Sequence, residues 1–269
     1  MLLATVRNRD GSIVNDLNPD DFILEEDGRP QTIRYFSRES NLPLTLGLLV
    51  NTSRSQLHSL EPELKASYAF LNCMRRKEDQ AFVASFDIAV QMLQPITNSR
   101  ELLSAALYQL RIPKRIDTLL FDAIHQTSDD PMREQTGRKA FILLSNGVDE
   151  GSKTTLGDAI EYAQRANTLI YSIWFRAWWK YIGSDWHSVA ERKGRDVAAV
   201  LETGGRFFEV TKEQPIESIY GQVQEELRNQ HGFGYTSDHH GKDKQYRKIK
   251  LTTKQPGLIV QTRAGYYPR

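Results

Sequence analysis

The stretch "TLGLLVNTSRSQ", Thr45 to Gln56, decides the reading of the fold. An apolar run empties directly into Asn51, Thr52, Ser53 and Ser55, small side chains with hydroxyl and amide groups. Such a run predicts a buried strand over 44–50, and further apolar strands are predicted at 80–86, 139–145, 169–175 and, shorter, at 205–210. Helical segments near 56–75, 99–110, 118–128, 155–166, 193–203 and 215–229 separate them. Apolar strands alternating with helices argue for a doubly wound α/β domain, a mostly parallel sheet with helices on both faces. The segment "AVQML", 89–93, reads as an antiparallel edge strand.

Both chain ends differ in style from this middle. Residues 1–40 alternate short β-rich pieces with turns, including the Asp27-Gly28 pair between two strand-like runs, a hairpin signal. Residues 230–269 return to the same style with "HGFGYTSD", "QYRKIKLTT" and "LIVQTRAGYY". A unit of either length alone is too small to be stable. The expectation is that 1–40 and 230–269 pair into one small antiparallel β domain, with an α/β domain of 41–229 inserted between them.

Composition excludes several classes. Lys and Arg number 35 against 34 Asp and Glu, so the balance predicts neither a nucleic-acid binder nor a membrane-surface protein. The single cysteine, Cys73 in "YAFLNCMRR", forbids an intrachain disulfide and a multi-thiolate zinc site, and reads as a buried helical residue. No apolar run is long enough for a membrane span. The opening "MLLATVRNRDG" lacks a basic leader and reads as a strand already under way, which suggests a start further upstream. No Walker A, G-x-S-x-G or G-x-G-x-x-G pattern occurs, and the six histidines show no metal-ligand spacing. Paired carboxylates at Glu25-Glu26 and Asp129-Asp130 read as solvated surface, and Gly204-Gly205 as a helix stop.

In an open parallel sheet, ligands bind where the strands end at their carboxyl side, because loops and helix N-termini aim N–H groups there. Three strand ends collect suitable residues: Asn51 to Ser55; Asp117 and Thr118 in "RIDTLLFDAI"; and Ser145, Asn146, Asp149 and Glu150 in "LLSNGVDEGSK". With "DGSIVNDLNPDDFILEEDGRPQTIRYFSRE", "TGGRFF" and "YRKIKLTT" in matching order, the chain resembles the von Willebrand factor type A domains. Within them it is most similar to a bacterial, acidobacterial-type branch with flanking β segments. The resemblance implies a metal-ion-dependent adhesion site of the pattern Asp-x-Ser-x-Ser, a Thr in a later loop and an Asp after the fourth strand. Ser53, Ser55 and Thr118 match its hydroxyl positions, and Asn51 and Asn146 stand where it has aspartates.

That departure has a chemical meaning. Hard divalent cations need oxygen ligands with negative charge nearby, and an amide offers one neutral carbonyl oxygen. The expected cofactor is therefore none, or weakly bound Mg²⁺ or Mn²⁺. Three readings of the Asn pair stay open: a natural site without metal, a site in which Asp117 or Asp149 restores the charge, or an artefact or modification, either an engineered Asp→Asn change or deamidation of Asn146, to which Asn146-Gly147 is prone. Singly, Ser53 or Ser55 also reads as a helix cap.

The segment "IWFRAWWKYIGSDWHS", 173–188, holds all four tryptophans and leaves the sheet at the same edge. Trp178, Trp179, Tyr181 and Trp186 are candidates for a partner-binding patch, the alternative being a loop folded on itself. The function expected is a non-enzymatic interaction or adhesion module that takes a protein ligand at the carboxyl edge, or a scaffold whose ligand face is vestigial. No nucleophile and base pair emerges to support an enzyme. An exported location is implied by the resemblance alone.

Overall fold

The computed structural model describes residues 2–39, 42–53, 60–71, 74, 76–111, 117–145, 147, 149–175, 199, 202–239 and 245–268. Four short strands come first: β1 (Leu2–Arg7), β2 (Phe22–Glu26), β3 (Arg29–Gln31) and β4 (Tyr35–Glu39). Next come β5 (Leu44–Asn51), α1 (Leu60–Leu71), β6 (Gln80–Phe86), β7 (Val90–Thr97), α2 (Arg100–Leu107), α3 (Leu120–Thr127) and β8 (Arg138–Leu144). They are followed by α4 (Leu156–Arg165), β9 (Leu169–Phe175), β10 (Phe207–Val210) and α5 (Ile216–Arg228). Last are β11 (Gln230–Gly234), β12 (Arg247–Thr253), β13 (Ile259–Thr262) and β14 (Gly265–Tyr266).

Every residue of β5 is buried, because the strand is covered on both faces and flanked by parallel neighbours, β6 on one side and β8 on the other. The six-stranded sheet runs β10-β9-β8-β5-β6-β7, and only β7 is antiparallel. This is the mostly parallel, doubly wound α/β sheet expected. The edge strand expected at 89–93 extends to Thr97 and carries Pro95, a residue that edges tolerate and central strands do not. The helix expected at 193–203 falls largely outside the described residues, as does Cys73.

Alternation along β5 sorts its side chains between two cores. Leu46, Leu48 and Val50 meet Phe70 of α1, Leu103 of α2 and Tyr220 of α5. Leu49 meets Phe82, Phe141, Ile124 of α3 and Ala163 of α4. Gly47 makes room on the second face: a Cβ there would lie 2.4 Å from the Phe82 ring and 2.8 Å from that of Phe141. Those two rings meet edge to face, with centroids 6.3 Å apart.

The other two sheets, β13-β1-β11-β4 and β14-β12-β2-β3, draw every strand from the two chain ends. Asp27 and Gly28 form the two-residue loop between β2 and β3, both with positive φ (49° and 78°), the backbone that a tight hairpin needs and that Asp-Gly supplies. Between the sheets lies a third core of Leu2, Ala4, Val6, Phe22, Leu24 and Phe233 with their neighbours. One expectation is corrected here. Glu26, read from sequence as solvated, is fully buried, because it shares the inward face of β2 with Phe22 and Leu24. It accepts hydrogen bonds from Tyr235, Ser237 and Tyr266 and pairs with Arg247 at 3.4 Å. Those partners sit more than 200 residues away, outside any local pattern.

The sheets are bound to the α/β layer by charge as well as by chain. Glu226 of α5 is buried and paired with Arg7 of β1 and with Arg206, the latter at 2.7 Å. Within the α/β layer itself, Arg228, at the end of α5, pairs with the buried Asp79 before β6.

Candidate functional site

The site expected from sequence lies at the carboxyl edge of the six-stranded sheet, and its loops are tied to one another by hydrogen bonds. Asn51, the last residue of β5, is fully buried, and its Oδ1 accepts from the Ser53 amide at 2.9 Å. That bond folds the chain into an Asx turn immediately after the strand and buries Ser53 with it. Asn51 therefore uses its carbonyl oxygen to shape the loop.

Thr52 links this first loop to the next. Its amide donates to Phe86 O at 3.0 Å and its hydroxyl to Asp87 Oδ2 at 2.8 Å. Asp87 is 8% exposed and also takes the Ala89 amide on Oδ1 at 3.3 Å, while its carbonyl takes the Leu119 amide at 2.9 Å. One residue thus joins the loops after β5 and β6 to the segment before α3. Asp87 was missed from sequence. The signal was present in "SFDI", since the rule that drew attention to the end of β5 applies equally to the strand beside it.

Thr118 is buried and exchanges two backbone hydrogen bonds with Glu150, of 3.1 and 2.8 Å, which brings the third loop against the fourth. Asp149 lies beside this bridge, with Oδ1 accepting from the Phe121 amide at 3.0 Å and the Ser152 hydroxyl at 2.6 Å. It caps the first turn of α3, whose own N-cap residue, Leu119, has no capping side chain. Asp122 works in the reverse direction, taking the amides of Thr154 and Lys153 at 2.8 and 3.2 Å. Burial opposes its ionisation, yet these hydrogen bonds and the nearby His125 outweigh burial and hold its carboxyl below the usual range. Asp117 is exposed beside Thr118. Ser145 folds its loop by accepting the Gly147 amide at 3.0 Å.

Asn51, Ser53, Thr118 and Asp149 thus stand on connected loops of one edge. Ser55, Asn146, Trp178, Trp179, Tyr181 and Trp186 lie outside the described residues. Among the described residues, no three Asp, Glu, His or Cys side chains group as a metal site. Among the described residues, the buried or half-buried carboxylates Asp87, Asp122 and Asp149 of this edge each already accept hydrogen bonds from two partners. The side-chain oxygens of Asn51, Ser53 and Thr118 are neutral.

No protein-family model matches the sequence, and no curated protein matches it either. Solved structures do. The von Willebrand factor type A protein from Catenulispora acidiphila matches with a TM-score of 0.55 at 14% identity, over 77% of this chain and 50% of its own. The vWF domain of the type V pili tip protein Mfa5 from Porphyromonas gingivalis matches with a TM-score of 0.53 at 10% identity, over 68% of this chain and 94% of its own. Proximal thread matrix protein 1 of the mussel byssus, in a structure with a zinc-occupied MIDAS motif, gives 0.57 at 11% identity, over 76% of this chain and 50% of its own. Identities this low speak to architecture alone, and with the parallel sheet centred on β5 they agree: the α/β layer of this chain has the von Willebrand factor type A fold.

Proposed function

We propose that this chain is a non-enzymatic protein-binding module whose ligand surface is the carboxyl edge of the six-stranded sheet, built on a degenerate adhesion site that holds a divalent cation weakly or not at all. The observation that carries the reading is Asn51. It is a buried amide at the first aspartate position of the adhesion-site pattern, with its oxygen engaged by the Ser53 amide. Replacing a carboxylate by an amide in a shielded site removes Coulomb attraction on the order of several kcal/mol. Asp149, the inner of the two acids proposed to compensate, is engaged by α3. The same engagement supports the non-enzymatic reading, because Asp149 and Asp122 use their oxygens on backbone amides and hydroxyls.

Trp178, Trp179, Tyr181 and Trp186 extend the proposed surface. The paired chain ends, residues 1–40 and 230–269, form a β domain that carries the inserted α/β domain of 41–229. The likeness in fold to a pilus-tip domain and to an aerotolerance-related membrane protein from Bacteroides fragilis supports an exported or surface location. No helix among the described residues is long and apolar enough to cross a membrane.

Calorimetric titration with Mg²⁺, Mn²⁺ and Zn²⁺ tests the degenerate site. The expected dissociation constants are on the order of 1 mM or weaker, as for low-charge oxygen sites, and a micromolar constant would overturn the reading. A partner captured by the wild type and lost with Ser53→Ala supports the binding module. Capture indifferent to Ser53 and to the tryptophans supports the second reading, a scaffold with a vestigial face.

A further inference from the structure

A second feature lies at the opposite, amino edge of the six-stranded sheet, where the end of α4 and the segment before β8 meet the terminal sheets. A cavity of about 820 Å³ opens there, within the ~300–1,000 Å³ range of small-molecule sites. Arg133, Arg165 and Arg263 line it, and no Asp or Glu among the described residues does. Among the described residues the wall itself presents positive charge without a carboxylate, those that pair with Arg133 and Arg165 being set behind it, an arrangement suited to an anionic occupant.

The arginines are held in place from behind. Arg165 pairs with Glu161 at 2.7 Å and lies over the Tyr267 ring, 4.6 Å from its centroid. Arg263 donates to Asn167 Oδ1 at 2.9 Å and lies 5.4 Å from the centroid of Tyr266. Arg133 pairs with Asp129 at 2.6 Å, and its side chain is 54% exposed, which places it at the rim. Glu161 and Asp129 do not line the cavity. A guanidinium has five N–H donors and a carboxylate engages at most two of them in a fork, so Arg133 and Arg165 can serve a ligand without giving up their anchors.

The rest of the wall is mostly polar and aromatic, with Gln164, Asn167 and Ser237 beside Tyr235, Tyr266 and Tyr267, and the aliphatic and phenyl groups behind it are buried. Leu2, Phe233 and Ile249 belong to the core between the terminal sheets. The hydroxyls of Tyr235 and Tyr266 are tied back to Glu26, whose charge is met by Arg247, so that carboxylate does not oppose an anion in the cavity.

We propose that this cavity binds a small ring-bearing anion, a carboxylate or a phosphate, with its charged group on Arg165 and Arg263 and its ring against the half-buried rings of Tyr235, Tyr266 and Tyr267. The site is independent of the carboxyl edge. The test is calorimetric titration of the full chain with phenyl phosphate, benzoate and the neutral benzyl alcohol at low salt. At least one of the two anions is expected to bind with a constant below about 1 mM, and the tighter of the two identifies the head group. Benzyl alcohol is expected to bind at least about tenfold more weakly, since charge-assisted hydrogen bonds carry the difference. Arg165→Gln with Arg263→Gln should weaken the anion at least about tenfold, to the level of the neutral probe. Arg133→Gln, a rim change that spares the packing, should weaken it about two- to threefold. Ser53→Ala, at the other edge, should leave binding unchanged. Equal affinity for benzyl alcohol, no binding of either anion, or anion binding insensitive to all three arginine changes would overturn the proposal.

Discussion

The carboxyl edge of the α/β layer and the core between the terminal sheets hold buried carboxylates with different partners. At the edge, Asn51 is a buried amide whose oxygen shapes its loop, and Asp87, Asp122 and Asp149 serve as acceptors for backbone amides and hydroxyls. Between the terminal sheets, Glu26 is buried outright and kept ionised by three hydroxyls and Arg247. Burial pushes its carboxyl up, but the Ser237, Tyr235 and Tyr266 hydroxyls and the Arg247 charge together hold it below the ordinary range. The difference teaches that a buried carboxylate is kept at a loop edge by the amides and hydroxyls of neighbouring loops, and in a closed core by hydroxyls together with a guanidinium.

The comparison can be broken most severely at Glu26. Glu26→Ala strands Arg247 in the core and should cost about 3–5 kcal/mol of stability. Asn51→Ala, by contrast, should cost about 1 kcal/mol for its turn hydrogen bond. Urea denaturation of both variants measures the contrast. Next in size is the reverse experiment, restoring charge at the edge. Asn51→Asp with Asn146→Asp should tighten Mg²⁺ binding about ten- to a hundredfold by calorimetry, and without metal should lower the melting temperature through repulsion and desolvation. Thr52→Val removes the hydroxyl that joins the first two loops and leaves Asp87 Oδ2 without that donor. A loss of about 1–2 kcal/mol is expected, with the terminal sheets unaffected in hydrogen exchange.

The smallest expected effect is with pH, and it falls on the terminal sheets. His231 is buried among Phe22, Phe36 and Phe233. Burial first, and then the charge of Arg38, hold its imidazole below the ordinary value of 6.5. The unfolded chain then binds more protons than the native one, so stability falls as pH drops below 6.5 and levels off below the native value. Glu26, also depressed, adds a second loss as pH falls below its ordinary 4.5. Denaturation midpoints at pH 7.5 and 5.5 should differ in the wild type and converge in His231→Leu.

Much of this was legible in the residues themselves. The apolar run before Asn51 marked the central strand, because covering on both faces leaves no polar alternation. Asp27-Gly28 marked its hairpin, because few other pairs accept positive φ twice. The β style of the two chain ends foretold that each would supply strands for the other's sheets. Asn51, Ser53 and Thr118 were singled out because strand ends and a family pattern are local features of sequence, and the fold brings them to one edge. The inward turn of Glu26, the link from Thr52 to Asp87, the capping of α3 by Asp149 and the arginine-lined cavity were decided by tertiary structure. Each depends on partners from loops 28 to more than 200 residues apart. Local pattern dictates which face a residue presents, but only the closure of the chain ends around the inserted layer brings those faces to the partners that determine their charge and use.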